Sequence, residues 1–96
     1  MKALPDGLGV TRRTPTFTEQ TIPSGLLRSH RTKPDVWGRI VVAEGRLRYT
    51  ILEPSREEYV LSPGAPGIIE PEMSHEVAAD GPVRFWVEFL RRPPAD

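Results

Sequence analysis

Hydrophobic and polar residues alternate with a period of two in several short runs of the chain. The alternation is clearest over residues 46–52 and 83–89, and it recurs over residues 26–30. A fourth run, residues 39–43, is rich in β-branched side chains, which indicates a strand buried on both faces. Such patterns are typical of β-strands, so we predict a chain built from short strands. Shorter candidate strands lie at residues 58–61, 67–69 and 75–78.

Turn-forming residues separate these runs. Glu44-Gly45 lies between two strong candidate strands and predicts a hairpin with the glycine at positive φ. Residues 62–67 contain two Pro-Gly turns, and Asp80-Gly81-Pro82 is predicted to join the last two strands. Only residues 54–58 suggest a helical turn. The chain is therefore expected to be all-β.

The length of 96 residues predicts one domain, residues 1–96, with a core over about 10–90 and a loose tail at 91–96. About seven to eight short antiparallel strands must turn their apolar faces toward each other, and a jelly-roll barrel or sandwich is the usual solution. An immunoglobulin-like sandwich is the competing fold. It lacks support because the chain has no cysteine pair around a core tryptophan.

Composition excludes several functions. The chain has no cysteine, which rules out disulfides, thiolate metal sites and zinc fingers. Thirteen basic and thirteen acidic side chains cancel, so no global field attracts nucleic acid or an anionic membrane. No apolar run approaches the ~18 residues of a membrane span. The first residues lack the apolar core of a signal peptide. We therefore expect a soluble, cytoplasmic protein.

The charges are divided unevenly along the chain. Residues 1–50 carry nine basic and four acidic side chains, a net charge of +5, and residues 51–96 carry four and nine, a net charge of −5. The simple interpretation is that the two sets interleave on the folded surface. The alternative is a site to which the first half supplies cations and the second half supplies carboxylates.

Two histidines offer the clearest candidate chemistry. His30 and His75 are 45 positions apart, each at or near the end of a candidate strand. Glu70, Glu72 and Glu88 are candidate carboxylate partners. Histidines with a carboxylate and no thiol suit a divalent ion such as zinc, nickel or iron. The alternative is that both histidines are partly exposed and make ordinary hydrogen bonds.

The segment after His30 adds polar and aromatic groups. Thr32, Lys33 and Trp37 follow the histidine closely, and Arg28 precedes it. A lysine and an arginine beside a metal can hold an anion. The alternative is a surface turn in which the tryptophan covers a sheet edge.

Four motifs together resemble the small cupin family of tellurite-resistance proteins, the tellurite-resistance/YeaR-like cupins. They are H-x-T-K-x3-W-G at 30–38, V-x3-G-x-L-x-Y at 41–49, I-E-P-x3-H-x-V at 69–77 and F-x-V-E-F at 85–89. The resemblance extends over residues 3–91. In that family the domain occurs alone or fused ahead of a tellurite methyltransferase. Relative to cupins in general, Thr32 replaces the second histidine of the first motif.

The resemblance implies a cupin-type jelly roll and a set of site residues. His30 and His75 match the positions of cupin metal ligands, with Glu70 preferred over Glu72 as the carboxylate because it fits the Ile-Glu-Pro pattern. Residues expected to contact the ligand are Arg28, Lys33, Trp37 and Glu88.

The predicted function is binding of a divalent metal and a small ligand or oxyanion, in a tellurite-resistance or stress-response context. One alternative is a metal-dependent enzyme of unknown reaction, since an open-sided metal can activate water. The other is a non-catalytic homodimeric interaction module that uses the strand around residues 85–87 as an edge or face. Neither nucleic acid nor membrane is an expected partner.

Overall fold

The structure, a computed structural model, describes residues 1–28 and 31–93. Its described elements are six β-strands and one turn of 3₁₀ helix, which confirms the all-β prediction. In chain order they are β1 (Gly9–Arg13), β2 (Phe17–Thr18), the 3₁₀ turn (Ser24–Leu27), β3 (Trp37–Ile51), β4 (Glu57–Leu61), β5 (Gly67–Ile69) and β6 (His75–Arg91).

All described strand pairs are antiparallel and belong to one sheet. The order is β1-β6-β3-β4, with β2 also beside β6 and β5 also beside β3. The sheet is not closed as paired here, and the jelly-roll arrangement stays a prediction. The strand around residues 85–87 offers no edge, because β6 pairs on both sides. Its use as a face for a partner stays a prediction.

The predicted hairpin at Glu44-Gly45 is not formed, and β3 continues through these residues. Gly45 does have positive φ, 80°, and it lies opposite Val83 of β6. Register shifts on both sides of it mark β-bulges. Both this type of β-bulge and a tight hairpin turn require a glycine at positive φ. The backbone conformation of Gly45 therefore agrees with the prediction, but the residue forms a bulge and not a hairpin turn.

The Asp80-Gly81-Pro82 segment likewise lies inside β6 instead of joining two strands. Leu47 pairs with Ala79 and Gly45 pairs with Val83, so β6 bulges opposite the bulge of β3. The chain therefore has fewer and longer strands than the alternation predicts. The bulges interrupt the pattern without ending the strand.

The bulges also reverse which residues of β3 face the core. Before them the buried positions are even-numbered, as at Ile40 and Val42, and after them odd-numbered, as at Leu47 and Tyr49. One additional residue in a strand moves all later side chains to the opposite face. The run at 39–43 is therefore buried mainly on one face, with Val41 only half-buried.

A hydrogen bond shows that β3 folds over at the bulges. The Tyr49 hydroxyl donates to the Ile68 carbonyl at 2.8 Å, while Ile68 pairs with Arg39. Arg39 and Tyr49 would be about 33 Å apart in a straight strand, far beyond the reach of a tyrosine. The two halves of the sheet therefore face each other around one core. Its buried members are Ile40, Val42, Leu47, Tyr49, Ile51, Leu61, Ile69, Val77, Val83, Phe85 and Val87.

The predicted strand over residues 26–30 is wrong in its described part. Ser24–Leu27 forms the 3₁₀ turn, in which the Leu26 N–H donates to the Pro23 carbonyl at 2.9 Å. Leu26 packs against the core from this turn. His30 lies outside the described residues.

Two smaller predictions concern the remaining segments. The helical turn suggested over 54–58 is not formed, because residues 57–61 belong to β4. The tail expected at 91–96 begins within β6, which ends at Arg91, and residues 94–96 lie outside the described part. Within the described ranges, no helix has the length and apolar character needed to cross a membrane.

Candidate functional site

A cavity of about 410 Å³ opens between β1, the loop before β3 and the end of β6. We call it the basic cavity, because four of its lining side chains are cationic and none of the described ones is acidic. The lining residues are Thr11, Arg12, Arg31, Thr32, Lys33, Val36, Phe89 and Arg91. Positive charge is therefore concentrated around a space that a small molecule can enter.

The four cations are not equally available. Arg31 is bound on two sides, by the Glu53 carboxylate at 2.5 Å and by the Glu72 carbonyl at 3.0 Å. Arg12 lies over the ring of Phe89, 5.1 Å from its centroid. Among the ion pairs of the described residues, none involves Arg12, Lys33 or Arg91. The charges of these three remain for a bound anion.

Thr32 fixes the loop that carries two of the cations. Its side chain is buried, and its hydroxyl donates to the Glu70 carbonyl at 3.1 Å. The same oxygen accepts a hydrogen bond from the Glu72 N–H, also at 3.1 Å. One buried side chain thus joins the motif at 30–38 to the motif at 69–77.

His75 is buried beside the core, on the same face of β6 as Val77. Its Nδ1 lies 3.0 Å from the Met73 carbonyl oxygen, and its ring meets Tyr49 edge-on at 6.0 Å between centroids. The space next to it measures about 10 Å³, hardly enough for one water. Thr32 and Phe89 separate this small space from the basic cavity and line both.

The metal ligands predicted from the sequence are not brought together in the described structure. Glu70 Oε1 lies 3.6 Å from Lys2 Nζ, and Glu72 is exposed, with only its backbone contacting the site. Among residues 1–28 and 31–93, no three His, Cys, Asp or Glu side chains are placed to hold a metal ion. The described residues alone do not fit a metal. Because His30 lies outside them, the metal site stays a prediction.

Glu88 lies on the outer face of the sheet, away from the basic cavity. Arg39 is its direct partner across β3 and β6, with Nη2 2.6 Å and Nε 2.8 Å from Glu88 Oε1. Trp86 Nε1 donates to Oε2 at 3.3 Å, and Arg13 lies 4.0 Å over the Trp86 ring. Burial alone would raise the pKa of Glu88, but the hydrogen bonds and nearby positive charges lower it. Glu88 therefore stabilises the sheet surface.

Glu88→Gln is expected to cost about 1 kcal/mol of stability at pH 7, since the ion pair is only partly exposed. The folded-state pKa lies below the ordinary value of 4.5. The stabilisation is therefore present above the unfolded pKa and is lost as the pH falls through the folded pKa. Urea unfolding at a series of pH values from 7 down to 3 should show a difference between wild type and variant that shrinks as the pH falls.

The control for that experiment is Glu58→Gln. Glu58 is exposed and pairs with Arg56 at 3.4 Å. Its loss should change stability by less than about 0.5 kcal/mol at either pH. An equal effect of the two variants at pH 7 would show that Glu88 acts as an ordinary surface charge.

Trp37 and Arg28 are placed differently from Lys33. Trp37 lines a separate cavity of about 350 Å³, which the basic cavity adjoins through Arg91. Arg28 is exposed after the 3₁₀ turn and lines neither cavity. Of the predicted ligand-binding residues, Lys33 alone among the described ones lines the basic cavity.

Three arginines of the basic cavity were not predicted as site residues. Arg12, Arg31 and Arg91 come from distant parts of the chain, and pairing of β1 with β6 brings the first and last together. Arg31 follows His30 directly and could have been proposed from that position. Nothing in the local sequence around Arg12 or Arg91 indicates a site.

The fold and the site define an all-β domain that contains a cavity lined by four cationic side chains. The chain belongs to the TehB-like domain family, which matches residues 12–87. Membership links it to the tellurite-resistance proteins.

Two solved structures resemble this fold. A protein from E. coli strain K12 is 26% identical, with a TM-score of 0.85, and the match covers 98% of this chain and 100% of that one. TehB from Haemophilus influenzae is 23% identical, with a TM-score of 0.84, and the match covers 91% of this chain. It covers only 32% of TehB, so this chain corresponds to a part of that protein. A search of the curated proteins finds no match.

Proposed function

We propose that this protein is a cupin-like domain that binds a small ligand with an oxyanion group in the basic cavity, in the context of tellurite resistance. The observation that carries the proposal is the set of cations around the cavity, three of which have no ion-pair partner among the described residues. Guanidinium and ammonium groups bind oxyanions through charge-assisted hydrogen bonds.

The cations differ in what they can contribute. Arg12 is partly oriented by its contact with Phe89. Lys33 lines the basic cavity, whereas Arg91 is shared with the neighbouring cavity. Arg31 can bind an anion only if its guanidinium contacts the anion and Glu53 together, or if it breaks its ion pair with Glu53. Lys33 and Arg12 therefore should carry most of the affinity.

The expected result is that Arg12→Gln combined with Lys33→Gln weakens the binding of inorganic phosphate or tellurite roughly 10- to 100-fold, as two charge-assisted contacts are lost. Isothermal titration calorimetry at low salt measures this. A matched control is Arg46→Gln combined with Arg84→Gln, which removes two exposed arginines that line no cavity given above. Equal weakening by both pairs would contradict a localised site.

Metal binding is also a proposal and rests on the family resemblance. In it, His30 and His75 hold zinc, nickel or iron. Repeating the titration after treatment with a chelator separates the two contributions. Unchanged affinity supports an anion site made by side chains. Loss of binding would show that a metal holds the anion. The metal-dependent enzyme and the homodimeric module stay predictions.

A further inference from the structure

We infer that the natural ligand of the basic cavity is an organic anion, an oxyanion group joined to a compact apolar body, and not a bare inorganic ion. This inference rests on the proposed function, because it names the class of ligand that the same site accepts. Three observations support it: the size of the cavity, its apolar wall and the arrangement of its charges.

The cavity is too large for an inorganic oxyanion alone. Its volume is about 410 Å³. A water molecule occupies roughly 30 Å³ of liquid, and an ion with three or four oxygens displaces only on the order of three waters. Sites that enclose organic ligands begin at about 300 Å³. A bare ion would therefore leave most of the space to solvent.

Two of the side chains that line the cavity, those of Val36 and Phe89, are apolar. Val36 is buried with 8% of its surface exposed, and Phe89 is half-buried and packs against the core. A bare anion would gain nothing from these groups. An apolar body that covers about 55 Å² of such surface would gain roughly tenfold in affinity.

The charges and the depth of the site limit the ligand further. The three cations Arg12, Lys33 and Arg91 together suit a doubly charged group. Beyond Thr32 and Phe89, only about 10 Å³ remains next to His75, so the body must end at that wall. A ring or short chain fits these limits, and a long chain does not.

The test compares phenyl phosphate with inorganic phosphate on the wild-type protein. The two probes carry the same type of charged group and differ in the apolar body. Calorimetry should show phenyl phosphate binding at least about tenfold more tightly. Equal affinities would overturn the inference and leave the proposed anion binding intact. Failure of both probes to bind would overturn the proposed function itself.

A pair of variants then locates the apolar body. Val36→Thr keeps the shape of the side chain and places a hydroxyl on the wall, so the ratio of phenyl phosphate affinity to phosphate affinity should fall about three- to tenfold. Val60→Thr, on exposed β4, is the matched control and should change neither affinity. Circular dichroism confirms folding of both variants. An unchanged preference in folded Val36→Thr would overturn the placement of the body against this wall.

Discussion

Replacement of Gly45 by alanine is expected to destabilise the protein by about 3–4 kcal/mol, among the larger effects of a single substitution. Two costs combine at this position. The backbone has φ 80°, where an L side chain is strained. A Cβ there would also lie 2.0 Å from the Pro82 carbonyl oxygen, so one strand would have to move away from the other.

Gly81→Ala separates the two costs. Gly81 has nearly the same φ, 82°, but an added Cβ would meet nothing within 4 Å. The strain alone should cost about 1–2 kcal/mol. Urea unfolding followed by tryptophan fluorescence measures both variants. Similar losses would mean that β3 and β6 can separate at the bulge without penalty, contrary to the close contact described here.

Thr32→Val should lower stability by about 2–3 kcal/mol, because the Glu70 carbonyl and the Glu72 N–H both lose their hydrogen-bond partner. Valine keeps the shape of the side chain, so packing is retained. Since the loop on which Thr32 lies also carries Lys33 and Arg31, anion affinity should fall about tenfold as their positions loosen.

Two further variants distinguish an effect on the position of the loop from an effect of lower overall stability. Thr50→Val changes a threonine of equal burial in β3, away from the basic cavity, and should leave anion affinity unchanged. Thr32→Ser retains the hydroxyl and should restore most of the affinity. If Thr32→Val lowered stability and left anion binding at the wild-type level, anion binding would not depend on the two hydrogen bonds of the Thr32 hydroxyl.

The all-β class and most strand positions could be predicted from the alternation of side chains. The inward position of His75 follows from the same pattern, since it shares a face with Val77 and both are buried. Positive φ at Gly45 was equally predictable. These features depend on local periodicity and on the steric freedom of glycine, which are properties of short segments.

The bulges could not be predicted in the same way. Glu44-Gly45 satisfies the rules for a hairpin, and only the partner strand decides between a turn and a bulge. Here Gly45 lies opposite Val83, 38 positions further along the chain. The basic cavity has the same origin, because Arg12 and Phe89 meet only when β1 pairs with β6. Local patterns contain no information on such pairings.

The sheet order also has a consequence for synthesis on the ribosome. In the part of the chain described here, β1 and β2 pair only with β6, which is the last strand to emerge. The hairpin of β3 and β4 can form while later residues are still being added, but the amino-terminal strands must wait. Arg12 and Lys33 can therefore line the same cavity only after residues 75–91 have been made. Anion binding is therefore expected only after β6 has been synthesised and has paired with β1.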